Sequence, residues 1–168
     1  MRKTLSVFVA ILCLAAVLIA QEDEVLELKK KIVQIQNKGD LAFGSLALCS
    51  KILGFGSYVT LPDNVIDARG SLLLYYEPVN VFTNIRNGVY ETWYKQDLAL
   101  YQGAELLQEW KDFLQFRHAS NKPVFDLYAR NSLDFEGQLP PGDYSVKLTL
   151  KDQFSGKTAE TTVEFKLK

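Results

Sequence analysis

Residues 139–168 read LPPGDYSVKLTLKDQFSGKTAETTVEFKLK. Tyr144, Val146, Leu148 and Leu150 alternate with Ser145, Lys147, Thr149 and Lys151. Thr161, Val163, Phe165 and Leu167 then alternate with Thr162, Glu164, Lys166 and Lys168. A period of two sends one side of a strand to a core and the other to water. Asp152 to Gly156 supplies turn chemistry between the two runs. The segment therefore reads as a β-hairpin. A hairpin alone is marginal in water and needs a second layer over its apolar face.

Upstream, short β-type runs recur between turn signals. Ser57–Leu61 is closed by Pro62-Asp63-Asn64. Ser71–Glu77 is dense in Leu and Tyr, as in a strand buried on both faces, and Pro78 limits it. Residues 80–88 read as a polar loop ending in Asn87-Gly88. Val89–Tyr101 is a long strand turned by Gln102-Gly103, and Leu106–Phe116 pairs back with an interruption near Asp112. Residues 117–122 read as a loop, and Val124–Phe135 points Phe125, Leu127 and Ala129 inward. About seven strands with regular turns predict an all-β, immunoglobulin-like antiparallel sandwich over residues 54–168.

The chain has 168 residues, 48% of them hydrophobic, enough for one domain and an extension. Without residues 1–20 it carries 17 basic and 20 acidic side chains, and it has no basic block to attract nucleic acid. Met1-Arg2-Lys3, the apolar run Leu5–Ala20 and the acidic Gln21-Glu22-Asp23-Glu24 form a signal pattern. Residues 1–20 are thus a signal peptide cut after Ala20 or an uncleaved anchor, with everything downstream exported to the periplasm or beyond. If the segment is uncleaved, only residues 5–20 would touch a membrane.

Residues 21–53 read as a helical linker. Val25, Leu28, Ile32 and Ile35 make an amphipathic helix. Gly39-Asp40 reads as a stop and a new cap, and residues 41–53 (LAFGSLALCSKIL) as a second helix. The heptad phase continues through Ala42, Leu46, Cys49 and Leu53. Two readings stand: a stalk whose second half packs on the sandwich, or a coiled coil pairing two copies through residues 25–53. In the first, Cys49 is a buried apolar residue. In the second, it bonds its counterpart, because no other cysteine remains after residue 20.

Two stretches carry a family resemblance. The closing segment, with its Pro-Gly turn before Tyr144, resembles the last hairpin of exported bacterial Ig-like and fibronectin type III-like domains. Residues 47–84, with Cys49, Phe55, Gly56, Tyr58, Leu73, Leu74, Tyr75 and Glu77, are similar to a segment of uncharacterised exported bacterial proteins. The resemblance implies a sandwich in which Tyr144 is a tyrosine-corner residue, its hydroxyl tied to nearby backbone. It implies no activity.

No catalytic, cofactor or metal constellation stands out. His118 is a lone histidine placed in a loop, and an enzyme would need Glu77, Asp126 and His118 to converge. Glu77 reads as structural, paired with Arg69 or Arg86 or with backbone at a bulge. Asp63, Asp67, Asp143 and Asp152 read as turn residues. Trp93, Tyr101 and Trp110 are the candidate contacts. Trp93 and Tyr101 alternate onto a face that mixes charge and aromatics, suited to a sugar ring or a protein partner. Alternatively, Trp93 covers lysine stems or packs beneath the helix. The expectation is a non-catalytic envelope module binding a protein, or alternatively a polysaccharide.

Overall fold

A computed structural model of the protein describes residues 22–168, so the apolar segment and its Ala20 boundary lie outside the described residues. One helix, α1, spans residues 22–38. Ten strands follow: β1 (Ala42–Gly54), β2 (Ser57–Thr60), β3 (Val65–Ile66), β4 (Ser71–Val79), β5 (Thr83–Arg86), β6 (Val89–Gln102), β7 (Glu105–Ser120), β8 (Ala129–Asp134), β9 (Gly142–Asp152) and β10 (Thr158–Leu167). They form two sheets, ordered β2-β1-β4-β8 and β3-β10-β9-β6-β5, with β7 added on β6. All pairings are antiparallel except β3 with β10. The protein is an all-β sandwich with an N-terminal helix.

The closing hairpin folds as its alternation requires. Tyr144, Val146, Leu148 and Leu150 are buried, as are Phe165 and Leu167. They meet Leu48, Leu72, Leu74 and Tyr76 of the opposite sheet in a single core. The Tyr144 hydroxyl donates to the Pro140 carbonyl at 2.7 Å. Asp152 organises the turn: its Oδ1 accepts N–H bonds from Phe154 and Ser155 at 2.9 and 2.8 Å. Its Oδ2 accepts from Phe82 N–H at 2.6 Å, which ties the turn to the start of β5.

Several segments depart from the sequence reading, among them β4, which runs through Pro78 to Val79, and the short strand β3. Residues 42–54 are strand β1, not a second helix. β4 is buried on both faces, so the backbone groups of its edge away from β8 need a partner, and β1 supplies it. Gly44 permits the approach, since a Cβ there would lie 2.9 Å from Val79 Cγ2. The expected loop 80–88 contains β5, joined to β6 by Asn87-Gly88 with φ of 53° and 77°. Two consecutive positive φ values suit a two-residue hairpin turn. β7 runs on to Ser120, so His118 lies in a strand rather than a loop. β8 begins only at Ala129.

Between the sheets sits a buried polar cluster. Gln96 of β6 accepts at Oε1 from the Tyr76 hydroxyl at 2.7 Å and from Asn131 Nδ2 at 3.2 Å. All three side chains are at most 1% exposed. Replacing Gln96 with Leu strands two buried donors and is expected to lower stability by about 2 kcal/mol. In urea unfolding, the Gln96→Leu/Tyr76→Phe double variant is expected to lose less than the sum of the single losses.

Candidate functional site

The β6–β7 ribbon carries the aromatics singled out by the sequence. β7 pairs with β6 from Gln102↔Glu105 at the turn to Tyr90↔Ser120. Gly103, at φ 58°, makes the turn. Two bulges lengthen the β7 side, so that Gln102 faces Glu105 while Trp93 faces Arg117. At the larger bulge Asp112 has φ 52°, and its N–H donates to Asp97 Oδ1 at 2.9 Å.

Asp97 is the keystone of this face. It is 5% exposed, although it alternates onto the side away from the core. Its Oδ2 accepts from Lys151 Nζ at 2.5 Å and lies 3.3 Å from Lys111 Nζ. Burial pushes its carboxyl pKa up, but the Lys151 ammonium, the Asp112 amide and Lys111 outweigh burial and hold it below the ordinary value. Lys95 pairs with Asp112 at 2.6 Å and Lys147 with Glu160 at 2.8 Å. Lys111, Lys147 and Lys151 share a shallow depression of about 240 Å³ with Asp97, Glu109 and Glu160. The charges compensate one another, so the depression pins β7 and β9 to β6 instead of presenting a charged site.

Trp93 lies on this same face. The Arg117 guanidinium sits 4.8 Å from its ring centroid, and Phe154 meets it edge-on at 6.1 Å and 76°. Its Nε1 is buried with no partner among the described residues. Tyr101 is eight residues further along β6, about 27 Å at ~3.4 Å per residue. Trp110 faces the other way: it pairs with the core residue Leu98 and packs edge-on against Phe113 at 6.1 Å. The three aromatics thus form no shared platform.

What the ribbon does present is β7 itself. Among the described residues β7 bonds only to β6, so its outer backbone edge is open. Along its inner side Trp110, Phe113, Leu114 and Phe116 pack half-buried on the margin of the core. Leu106 and Leu107, next to the turn, are 50% and 36% exposed. Sequence reasoning missed Arg117 over Trp93 and the burial of Asp97. Both depend on the bulges, which no alternation pattern announces.

The remaining candidates lie on the outer face of the four-stranded sheet or in the core. Tyr75 is sandwiched between Tyr58 and Tyr128, with ring centroids at 4.2 and 5.8 Å. Its hydroxyl donates to Glu77 at 2.5 Å and accepts from Gly56 N–H at 2.8 Å. Burial and the Glu77 bond push the Tyr75 pKa up to about 12. Glu77 bonds this tyrosine in place of Arg69 or Arg86. Cys49 is a free thiol, 4% exposed, on β1. Glu77 and His118 belong to different sheets, and among the described residues no three His, Cys, Asp or Glu side chains cluster as metal ligands do.

Two outcomes follow from this geometry. The folded pKa of Asp97 lies below its unfolded value of about 3.9. Its contribution to stability is therefore complete above that value and is lost as pH falls through the folded pKa. Asp97→Asn is expected to flatten the loss of stability below about pH 4 in acid titrations of urea unfolding, and Asp97→Ala to destabilise by about 2 kcal/mol at neutral pH. Burial pushes the Cys49 thiol pKa up. Native protein is expected to label at Cys49 far more slowly than urea-unfolded protein, as read by mass of the Cys49 peptide. No protein-family model matches the chain, and no curated protein matches it significantly.

Proposed function

We propose that the chain is a non-catalytic interaction module of the cell envelope, exported by its apolar N-terminal segment, which binds an extended stretch of a partner protein along β7. One observation carries this reading. A 16-residue strand has a free backbone edge beside a row of half-exposed aromatic and apolar side chains. An added strand gains main-chain hydrogen bonds along such an edge, and adjacent side chains set its specificity.

The edge is also guarded. The Asp112 bulge kinks it midway, and Lys111 and Arg117 place charge along it. Such devices oppose indiscriminate pairing of flat strands. A partner must therefore follow the kink or use one half of the strand, near Leu106–Trp110 or near Phe113–Phe116. The pairs around Asp97 fix the kink, so the surface is preformed and little ordering accompanies binding.

The test is affinity capture from native envelope extract with the full chain as bait. A Leu106→Glu/Leu107→Glu variant alters only exposed positions. It is expected to weaken capture of the specific partner about tenfold, the loss typical of interface anchors, with an unchanged thermal midpoint. Undiminished capture by the variant would overturn the β7 assignment. Retention on cell-wall polysaccharide, lost in Trp93→Ala, would assign the module to carbohydrate binding instead.

A further inference from the structure

Helix α1 buries one apolar residue, Val33, and carries a separate apolar line beside it. Val33, 1% exposed, faces the sandwich. The end of the helix is fastened there: Asn37 Nδ2 donates to the Thr83 carbonyl at 2.9 Å, and Thr83 N–H donates to Asn37 Oδ1 at 2.8 Å. Among the described residues the separate line is uncovered. Val25, Leu28, Ile32 and Ile35 are 52%, 51%, 43% and 70% exposed. Single exposed apolar residues are ordinary, but a continuous line of four is a contact surface.

We infer that this line is covered by the same line of a second copy of the chain, in a short parallel two-stranded coiled coil. Its spacing places Val25 and Ile32 at heptad position a, and Leu28 and Ile35 at d. Leu28 at d between the β-branched Val25 and Ile32 at a fits two parallel strands, and Ile35 at the second d departs from that pattern. The flanking charges agree. Glu24, at g, faces Lys29, at e, of the second copy in the parallel arrangement. An antiparallel arrangement of the same four residues brings Lys31 against Lys31 of the second copy. The geometry leaves room, because Ile32 lies about 100° around the helix from Val33, so the second helix approaches beside the sandwich rather than through it.

The surface differs from the β7 edge, and the inference stands or falls independently of the partner proposed for β7. It also revises the pairing expected over residues 25–53: the stripe ends at Ile35, because residues 42–54 are consumed by β1. Two heptads make a weak contact in dilute solution. Copies held side by side pair through effective concentration.

The test is zero-length carbodiimide cross-linking of the full chain in mild detergent over a range of concentrations. A concentration-dependent dimer band whose linked peptides join Glu24 to Lys29 is expected. Lys29→Glu should remove that link, and Glu24→Lys/Lys29→Glu should restore it. Ile32→Asp should abolish the dimer with an unchanged circular dichroism spectrum. Four results would overturn the inference: monomer at every concentration; a dimer that survives Ile32→Asp; a dimer linked through other pairs; or a monomer that binds lipid vesicles through the stripe and loses that binding in Ile32→Asp.

Discussion

Beyond apolar packing, the two sheets are keyed to one another by the buried amide of Gln96. Apolar packing between sheets is strong but has no direction, and Leu against Leu tolerates sliding. Gln96 does not, because its carbonyl accepts from Tyr76 on β4 and from Asn131 on β8 while sitting on β6. The arrangement leaves Gln96 Nε2 and Asn131 Oδ1 without partners among the described residues, a penalty an all-apolar core avoids. The gain is a fixed register between layers. The next residue, Asp97, does the corresponding work on the outer face, where it holds the Asp112 bulge and Lys151 of β9. Two adjacent residues of β6 thus set both the sandwich and the shape of its exposed edge strand.

This accounts for the position of the two proposed interaction surfaces. The outer face of the six-stranded sheet is filled by compensating ion pairs and by Trp93 under Arg117. The outer face of the four-stranded sheet is occupied by the Tyr58–Tyr75–Tyr128 stack. Two of the surfaces left exposed are linear: the edge of β7 and the stripe of α1. They differ in chemistry, since one offers backbone hydrogen bonds and the other only apolar side chains with flanking charges.

Much of the framework was legible in the sequence because its signals are local. The alternation around Leu148, the Asx turn at Asp152 and the break at Asp112 each depend on neighbours within a few residues, whereas the tied hydroxyl of Tyr144 was implied by resemblance alone. Residues 41–53 misled for the opposite reason. LAFGSLALCSKIL is apolar and rich in helix formers, and a short apolar run carries no decisive period. Its state was decided by β4, a distant strand in need of a partner. Trp93, Tyr101 and Trp110 were found as residues but not as a site. Register shifts along β7 decide which side chains meet, and only the three-dimensional pairing reveals Arg117 above Trp93. Cys49 was readable as a buried thiol, although the strand that buries it was not.

The joint at the end of α1 has a mechanical consequence. Beyond the Asn37 clamp, Lys157 Nζ donates to the Gly39 carbonyl at 2.5 Å and Asn80 Nδ2 to the Asp40 carbonyl at 2.9 Å. A Cβ on Gly39 would fall 2.4 Å from Asn80 Nδ2, so the seat is closely fitted. Tension on the chain above residue 22 therefore does not stop at a swivel. It passes into three separate places, β5, the turn after β4 and the turn between β9 and β10, and is shared between both sheets. The helix is a lever with a bolted end, about 25 Å long at ~1.5 Å per residue, and it fixes both the distance and the heading between residue 22 and the sandwich.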